Sequence, residues 1–219
     1  MEYTIERFET GPFTVNTWVF PLSKESIAII DPGGVTDELL RYLKKYSPNH
    51  LEIMLTHGHF DHLGGLPALI KPYPDYRLWI HKADAAYLGT GAIETHSKCF
   101  TPFRVQGLID SLDQEALPEP TDFFKEGDTI NGFTVLHTPG HTQGSICLWN
   151  KEAHILFSGD TLFYGSRGRT DLFDGDEAQI YRSLNRLFNE IPEDTLVYPG
   201  HGSNTSIGFE KKFQGRFLN

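Results

Sequence analysis

The sequence predicts an α/β fold, and three observations support this prediction. Short apolar segments recur along the chain, and many of them are rich in Val, Ile, Phe and Trp and end at Gly, Pro or Asp, as strands do. Two longer segments instead carry apolar residues at helical spacing. The two kinds of segment alternate along the chain, which is typical of strands interleaved with helices.

The predicted strands are apolar runs of four to six residues, too short for helices. They include the segments 17–20, 26–30, 51–56, 76–81, 133–138, 145–149, 154–158 and 195–198.

Two helices are predicted from apolar periodicity and end signals. The segment 37–46 has acids in its first turn, lysines near its end and Pro48 beyond it. The segment 176–189 places one apolar face against the core and stops before Pro192; that face consists of Ile180, Leu184, Leu187 and Phe188. Shorter helices are expected after His62 and after Lys82.

The stretch 89–128 shows no sustained periodicity and contains three prolines, so a long functional or mobile connection is expected there. No linker separates two parts of the chain. The prediction is therefore a single domain over residues 1–219, a length at the upper end of what one core supports.

Composition narrows the classes of partner. Hydrophobic residues make up 39% of the chain, enough for a large core. Lys and Arg number 19 against 29 Asp and Glu, and a net charge of −10 disfavours nucleic acid and anionic membranes as partners. No apolar run is long enough to span a bilayer, and the first residues do not resemble a signal peptide, so a cytoplasmic protein is expected. The sequence leaves the oligomeric state open.

The two cysteines, Cys99 and Cys147, are too few for a disulfide framework and lack metal-site spacing. Cys147 lies inside an apolar run, so we expect it to be a small buried hydrophobic residue.

The segment T-H-G-H-F-D-H at 56–62 concentrates three histidines and an aspartate directly after a predicted strand. In a loop, His57 and His59 can point to one side, whereas Asp61 and His62 can turn toward a neighbouring point at the start of the next helix. Imidazoles that lose their proton near neutral pH are the ligands that zinc and iron sites need. The segment therefore predicts a metal site rather than four solvated loop residues.

Three later segments repeat one local pattern, in which a strand is followed by glycine and then by a side chain that can bind metal. They are T-P-G-H at 138–141, F-S-G-D at 157–160 and Y-P-G-H at 198–201. With the first cluster they supply five histidines and two aspartates, enough ligands for two ions. The other histidines are expected on the surface or in the core: His50, His81, His96, His137 and His154.

These motifs together resemble the metallo-β-lactamase superfamily, and within it the small glyoxalase II-like hydrolases. The matching segments are I-I-D-P-G-G at 29–34, T-H-G-H-F-D-H at 56–62, H-T-P-G-H-T at 137–142, G-D-T-L-F at 159–163, G-R-T-D at 168–171 and P-G-H-G at 199–202. Their order and spacing match over nearly the whole chain. The resemblance implies an αββα sandwich, two mixed β-sheets flanked by helices, with the metal site at one edge.

The resemblance also implies a set of ligands. One ion would be held by His57, His59 and His141. The second would be held by Asp61, His62 and His201, with Asp160 bridging the two. Zinc is the expected ion, and a bridging carboxylate also suits iron or manganese. Asp160 stands where the antibiotic-destroying zinc β-lactamases have Cys or Ser, and His59 stands where flavodiiron proteins have an acid, so both of those branches are disfavoured.

The predicted activity is hydrolysis of a small anionic thioester such as an acylglutathione. Two divalent ions about 3.5–4 Å apart hold a water and lower its pKa from 15.7 toward ~7, which gives a bridging hydroxide as nucleophile. Asp61 is expected to orient this hydroxide as well as to bind metal. A thiolate leaves without a proton because a thiol has a pKa of roughly 8.5, whereas an amide needs a general acid that the sequence does not place.

Substrate contacts are predicted at two positions. Arg169 aligns with a basic residue that in glyoxalase II-like enzymes contacts the glutathione carboxylate, although pairing with Asp171 is an equal alternative. Tyr164 is a weaker candidate of the same kind.

Two other activities fit the same motifs. A persulfide dioxygenase would use one iron bound through His57, His141 and Asp160, and it shares the G-R-T-D segment. A lactonase or other ester hydrolase would use both ions. A non-catalytic metal protein is disfavoured, because structural metal sites are usually closed and four-coordinate.

Overall fold

The structure is a computed structural model that describes residues 4–100, 107 and 117–215. Its strands are β1 (Glu6–Thr10), β2 (Val15–Pro21), β3 (Ser26–Ile30), β4 (His50–Met54), β5 (Tyr76–His81), β6 (Asp122–Phe124), β7 (Thr129–Ile130), β8 (Phe133–His137), β9 (Ile146–Asn150), β10 (Ile155–Gly159), β11 (Leu162–Phe163), β12 (Ser166–Arg167), β13 (Leu196–Pro199) and β14 (Thr205–Ser206). Its helices are α1 (Asp37–Tyr46), α2 (Phe60–Leu63), α3 (Leu66–Ile70), a 3-10 helix (Lys82–Tyr87), α4 (Ala92–Phe100), α5 (Glu177–Glu190) and α6 (Ile207–Gln214).

The strands form two six-stranded sheets. The first has the order β1-β2-β3-β4-β5-β6, antiparallel from β1 to β3 and parallel from β3 to β6. The second has the order β14-β13-β10-β9-β8-β7, in which only the β10–β13 pair is parallel. Strands β11 and β12 form a separate antiparallel pair. Both large sheets are therefore mixed, as the resemblance implied.

Side-chain alternation along the strands produces four layers. In β3, Ile27 and Ile29 pack with Leu39 and Leu43 of α1, whereas Ala28 and Ile30 face the second sheet. The second sheet also has one face toward helices and one toward the other sheet. Its outer residues pack against α5 and α6, and they include Leu136, Cys147 and Leu156. Its inner residues pack against the first sheet, and they include Val135, Leu148 and Phe157. This arrangement is the expected αββα sandwich, and Cys147 is a buried core residue as predicted.

The two long helices begin and end close to the predicted positions. Thr36 caps α1, its hydroxyl accepting a hydrogen bond from Leu39 N at 3.2 Å. Asp176 caps α5 by accepting from Gln179 N at 2.8 Å, so it precedes the first turn rather than opening it. The helix predicted after Lys82 is a 3-10 helix, and the one predicted after His62 is α3, preceded by the short α2.

The expectation of an irregular stretch at 89–128 is wrong in part. Residues Ala92–Phe100 form α4, whose inward residues include His96 and Cys99, and Asp122–Phe124 form the edge strand β6. Residues 101–106 and 108–116 of that stretch lie outside the described part of the chain. Among the described residues no helix is both long and apolar enough to cross a bilayer; α5, with 14 residues, is the longest.

Candidate metal centre

The structure brings all seven sequence-predicted metal ligands together at the carboxyl ends of four strands. The loop after β4 and the first turn of α2 supply four of them, and the segments after β8, β10 and β13 supply one each. The seven are His57, His59, Asp61, His62, His141, Asp160 and His201.

The first sheet supports the last of these segments directly. Trp18 Nε1 donates to Pro199 O at 3.1 Å, and the backbone N–H of Asn16 donates to Gly200 O at 2.7 Å. Both donors come from β2 of the first sheet, whereas the acceptors lead into His201 at the end of β13. The two sheets are therefore tied together next to the cluster, and the position of His201 depends on both.

The donor atoms form two groups on either side of Asp160. His141 Nε2 lies 3.5 Å from Asp160 Oδ2, and His62 Nε2 lies 3.4 Å from Asp160 Oδ1. His201 Nε2 lies 3.6 Å from Asp160 Oδ2 and 3.3 Å from Asp61 Oδ2. Two nitrogen or oxygen ligands at about 2.0–2.1 Å from one ion and at a tetrahedral angle are about 3.3–3.4 Å apart, so these spacings suit shared metal coordination.

Three donor atoms of the cluster are buried and lack a hydrogen-bond partner in the described structure: His57 Nε2, His141 Nε2 and Asp160 Oδ1. Leaving a buried polar atom unsatisfied costs about 1–3 kcal/mol, so such atoms are rare without a reason. A cation between them would satisfy all three. The residues present therefore fit a divalent metal binding site.

The electrostatics of the two groups differ. Burial, reinforced by the neighbouring imidazoles, holds the pKa of His57 and of His59 well below the usual value, so both rings are neutral and offer lone pairs. Burial also lowers the pKa of His62, but the nearby carboxylates, Asp160 foremost, outweigh it and raise the pKa well above the usual value. Without a cation a proton is held there, and a metal ion would take its place.

Three of the imidazoles are oriented through their other ring nitrogen. His62 Nδ1 donates to Asp31 Oδ2 at 3.0 Å, and His141 Nδ1 donates to Arg169 O at 2.8 Å. His57 Nδ1 lies 3.1 Å from Thr56 Oγ1. Carboxylate and carbonyl oxygens only accept, so the contacts of His62 and His141 place a ring proton on Nδ1 and direct Nε2 into the cluster.

Asp31 connects these contacts. It is 1% exposed, and it accepts from Thr56 N at 2.8 Å and from Thr56 Oγ1 at 2.7 Å in addition to His62. Because the Thr56 hydroxyl gives its proton to Asp31, its lone pair is left to accept from His57. One buried carboxylate therefore sets the proton positions of two imidazoles. In the sequence Asp31 stands only in the I-I-D-P-G-G segment, and no local pattern there indicates this role.

His59 is held differently, since its Nε2 faces Cys99 Sγ at 3.6 Å. Behind the thiol, Tyr87 OH donates to Asp174 Oδ2 at 3.0 Å, and His59, Cys99 and Asp174 form a further group of closely spaced donor atoms. This contact of Cys99 was not predicted, because Cys99 lies 40 residues from His59 and has no local motif.

The backbone of the 56–62 loop is anchored by Asp84, a fully buried carboxylate. Asp84 accepts from Gly58 N at 2.8 Å, from Thr142 Oγ1 at 2.7 Å and from Gly144 N at 2.6 Å, which joins the loop to the segment that carries His141. Burial raises the pKa of Asp84 to about 7 despite these donors.

Glycine is required beside the cluster at Gly200. A Cβ atom at this position would collide with Asp160 Oδ1 and with the ring of His62. The hydrogen atom of glycine lets the chain pass close enough to present His201 to the same point.

A cavity of about 500 Å³ opens onto the cluster. Its wall includes Arg169, whose guanidinium donates to both oxygens of Asp171 at 2.6 and 2.7 Å. The observed contact of Arg169 is therefore the pairing with Asp171, and its contact with a substrate stays a prediction. Tyr164 lies outside this wall and stacks on Phe209, with ring centroids 5.1 Å apart; its predicted role is likewise untested.

A second cavity, of about 620 Å³, lies at the other end of β10, away from the cluster.

The other histidines lie in the core or at the surface, as predicted. His96 is buried and donates to Tyr87 O at 3.0 Å. His50 contacts Asp75 at 2.9 Å and Glu52 at 3.3 Å, and although burial lowers its pKa, these hydrogen bonds produce a net increase. The remaining three are half-buried or exposed: His81, His137 and His154.

The chain is similar to known proteins over most of its length. The model of the metallo-β-lactamase superfamily matches residues 10–201. The probable metallo-hydrolase YqgX of Bacillus subtilis is 33% identical over 97% of this chain and 96% of its own. The hydroxyacylglutathione hydrolase GloC of Haemophilus influenzae is 33% identical over 98% of both chains.

Three solved structures share the fold. The B3 metallo-β-lactamase BLEG-1 superimposes with a TM-score of 0.81 at 32% identity, covering 99% of this chain and 100% of its own. TTHA1623 in a di-iron-bound form gives 0.76 at 33% identity, covering 95% and 98%. ETHE1 from Myxococcus xanthus gives 0.68 at 25% identity, covering 100% and 85%. From the matched family model, these relatives and the observed sandwich, we conclude that the chain belongs to the metallo-β-lactamase superfamily.

Proposed function

We propose that the protein is a dinuclear metal-dependent hydrolase that cleaves small thioesters such as acylglutathiones. The observation that carries the proposal is the position of Asp160 between two groups of donor atoms, 3.4–3.6 Å from an imidazole nitrogen on either side. In this proposal His57, His59 and His141 hold one ion. Asp61, His62 and His201 hold the second, and Asp160 bridges them. Similarity to YqgX and GloC supports a hydrolase of this class.

When bound, the ions supply Lewis acidity and lower the pKa of water. The residues of the chain supply orientation. Asp31, through His62 and Thr56, keeps the Nε2 lone pairs directed at the centre. Asp61 is 14% exposed and lines the cavity, so its carboxylate can also accept a hydrogen bond from the attacking water. A thiolate departs without a proton, so thioester cleavage does not require a general acid beside the leaving group.

The proposal is tested by elemental analysis together with hydrolysis of S-lactoylglutathione. The expected result is two ions per chain, with zinc as the expected metal and iron or manganese able to replace it, and turnover that disappears with chelation. Asp160→Ala should lose the second ion and turnover, whereas Asp37→Ala, an exposed aspartate in the first turn of α1, should change neither. Two ions per chain in Asp160→Ala would refute the bridging role.

A persulfide dioxygenase with a single iron is the second candidate, favoured by the similarity to ETHE1 over the whole chain. It would use His57, His141 and Asp160, which are all present in the cluster. The two candidates are distinguished by the number of ions per chain and by whether the reaction consumes oxygen. One iron per chain and oxygen uptake with glutathione persulfide would replace the hydrolase proposal. Two ions and thioester cleavage without oxygen uptake would support it.

A further inference from the structure

One side of the cavity at the metal centre is an aromatic wall. Phe13, at the turn between β1 and β2, packs edge-on against Phe60 with ring centroids 5.6 Å apart. Phe60 packs edge-on against Phe100 at 4.7 Å, and Phe100 lies 5.0 Å from the ring of His59. An unbroken row of rings therefore leads from the mouth of the cavity to an imidazole of the cluster.

The wall is built from four separate parts of the chain. Phe60 and Phe100 are 2% and 8% exposed, and Leu172, 7% exposed, adds an aliphatic side chain to the same cavity. Phe13 differs, because it stays 42% exposed while its ring lines the cavity. When an apolar ligand covers this exposed ring, apolar surface is removed from water, which stabilises the complex.

We infer that the aromatic wall formed by Phe13, Phe60, Phe100 and Leu172 binds the apolar acyl group of the thioester, and that Phe13 determines specificity for acyl-chain length. This inference rests on the proposed thioester hydrolysis. The thiol carriers of cells are polar and charged, so the acyl chain is the part of such a substrate that matches an apolar wall. The polar side of the cavity, at Arg169, is left to the thiol portion of the substrate.

The inference is tested with a series of glutathione thioesters that differ only in the acyl group. Each fully buried methylene contributes about fourfold to binding, so kcat/KM is expected to rise by at least about tenfold from acetyl to hexanoyl. Phe13→Ala should remove most of that gain, so that kcat/KM falls at least about fivefold more for the hexanoyl than for the acetyl substrate. Phe123→Ala is the matched control, because Phe123 is 41% exposed on β6 and lies outside the cavity.

Binding of the carboxylate products gives a second readout that does not depend on turnover. By calorimetry, hexanoate should bind the metal-loaded protein more tightly than acetate, and Phe13→Ala should reduce this difference. Equal values for acetyl and hexanoyl substrates, or an equal loss for both in Phe13→Ala, would overturn the inference and leave the hydrolase intact. The inference would also be overturned if kcat/KM rises when an apolar thiol replaces glutathione, as in S-acetyl hexanethiol, but does not rise with the length of the acyl chain. If no thioester in the series is hydrolysed, the proposed function fails and this inference fails with it.

Discussion

Replacing Asp31 with asparagine tests how proton positions in the centre are set. The amide is nearly isosteric, and its oxygen can still accept from Thr56 N. Its NH2 group takes the place of Oδ2, which accepts from Thr56 Oγ1 and from His62 Nδ1. The buried Thr56 hydroxyl and His62 Nδ1–H, which both donate to Oδ2, then face the NH2 group, which is itself a donor. At about 1–3 kcal/mol for each unsatisfied group, less what relaxation recovers, we expect the metal-free protein to lose about 2–4 kcal/mol of unfolding free energy.

The effect on metal binding should be larger than this loss implies. If the Thr56 hydroxyl turns to accept from the new amide, its proton points at His57 Nδ1. That favours the His57 tautomer with a proton on Nε2, the nitrogen that must face the ion. Loss of a partner that orients a metal-binding histidine typically costs 10- to 100-fold in affinity. Chelator competition measures this affinity, and urea unfolding of the metal-free protein measures stability.

Asp84→Asn is the matched control. Asp84 is equally buried and accepts three hydrogen bonds, but none of them comes from an imidazole. We expect this variant to lose stability, although less than Asp31→Asn, because a carboxyl whose pKa is about 7 is already partly protonated at neutral pH. Its metal affinity should fall much less than that of Asp31→Asn. Equal losses of affinity in the two variants would refute the argument from tautomers.

Three further predictions follow from contacts around the cluster and at the surface. Cys99→Ala removes the partner of His59 and should weaken binding of the first ion about 10- to 100-fold by chelator competition, whereas Cys99→Ser, which keeps a polar partner, should stay within about threefold. The raised pKa of His50 contributes stability that is fully present below about pH 6.5 and is lost as pH rises through the pKa of the folded state. His50→Gln should therefore lower the unfolding free energy, measured with urea, by at most about 1 kcal/mol at pH 5.5 and not at all at pH 8.5. Gly200→Ala should displace the Asp160 carboxylate, so elemental analysis should find fewer than two ions per chain; an unchanged count would contradict the steric argument.

The sequence predicted those features that have a local pattern. Strands such as Ser26–Ile30 and Tyr76–His81 were predicted with their observed bounds, because each is a run of apolar and aromatic residues with Pro and Asp next to one end. The two-residue strands, β11 for example, are too short to carry a pattern. Four of the seven clustered residues were identified by their concentration at 56–62, and the other three because each follows a glycine just after a predicted strand.

The partners of these seven residues could not be predicted in the same way. Cys99 lies on a helix that the sequence did not predict, and it meets His59 only through folding. Phe13 looks like any exposed aromatic residue until the chain brings Phe60 and Phe100 beside it. Roles of this kind depend on contacts between distant segments, which periodicity and spacing do not encode.

The distribution of the centre along the chain has a consequence for how the protein is made. His57 leaves the ribosome long before His201, and at about 5–20 residues per second the delay is on the order of ten seconds. During that interval the early imidazoles have only part of their coordination partners, so a nascent chain holds metal weakly. Tight loading therefore waits until β13, which leads into His201, has been made and has paired with β10.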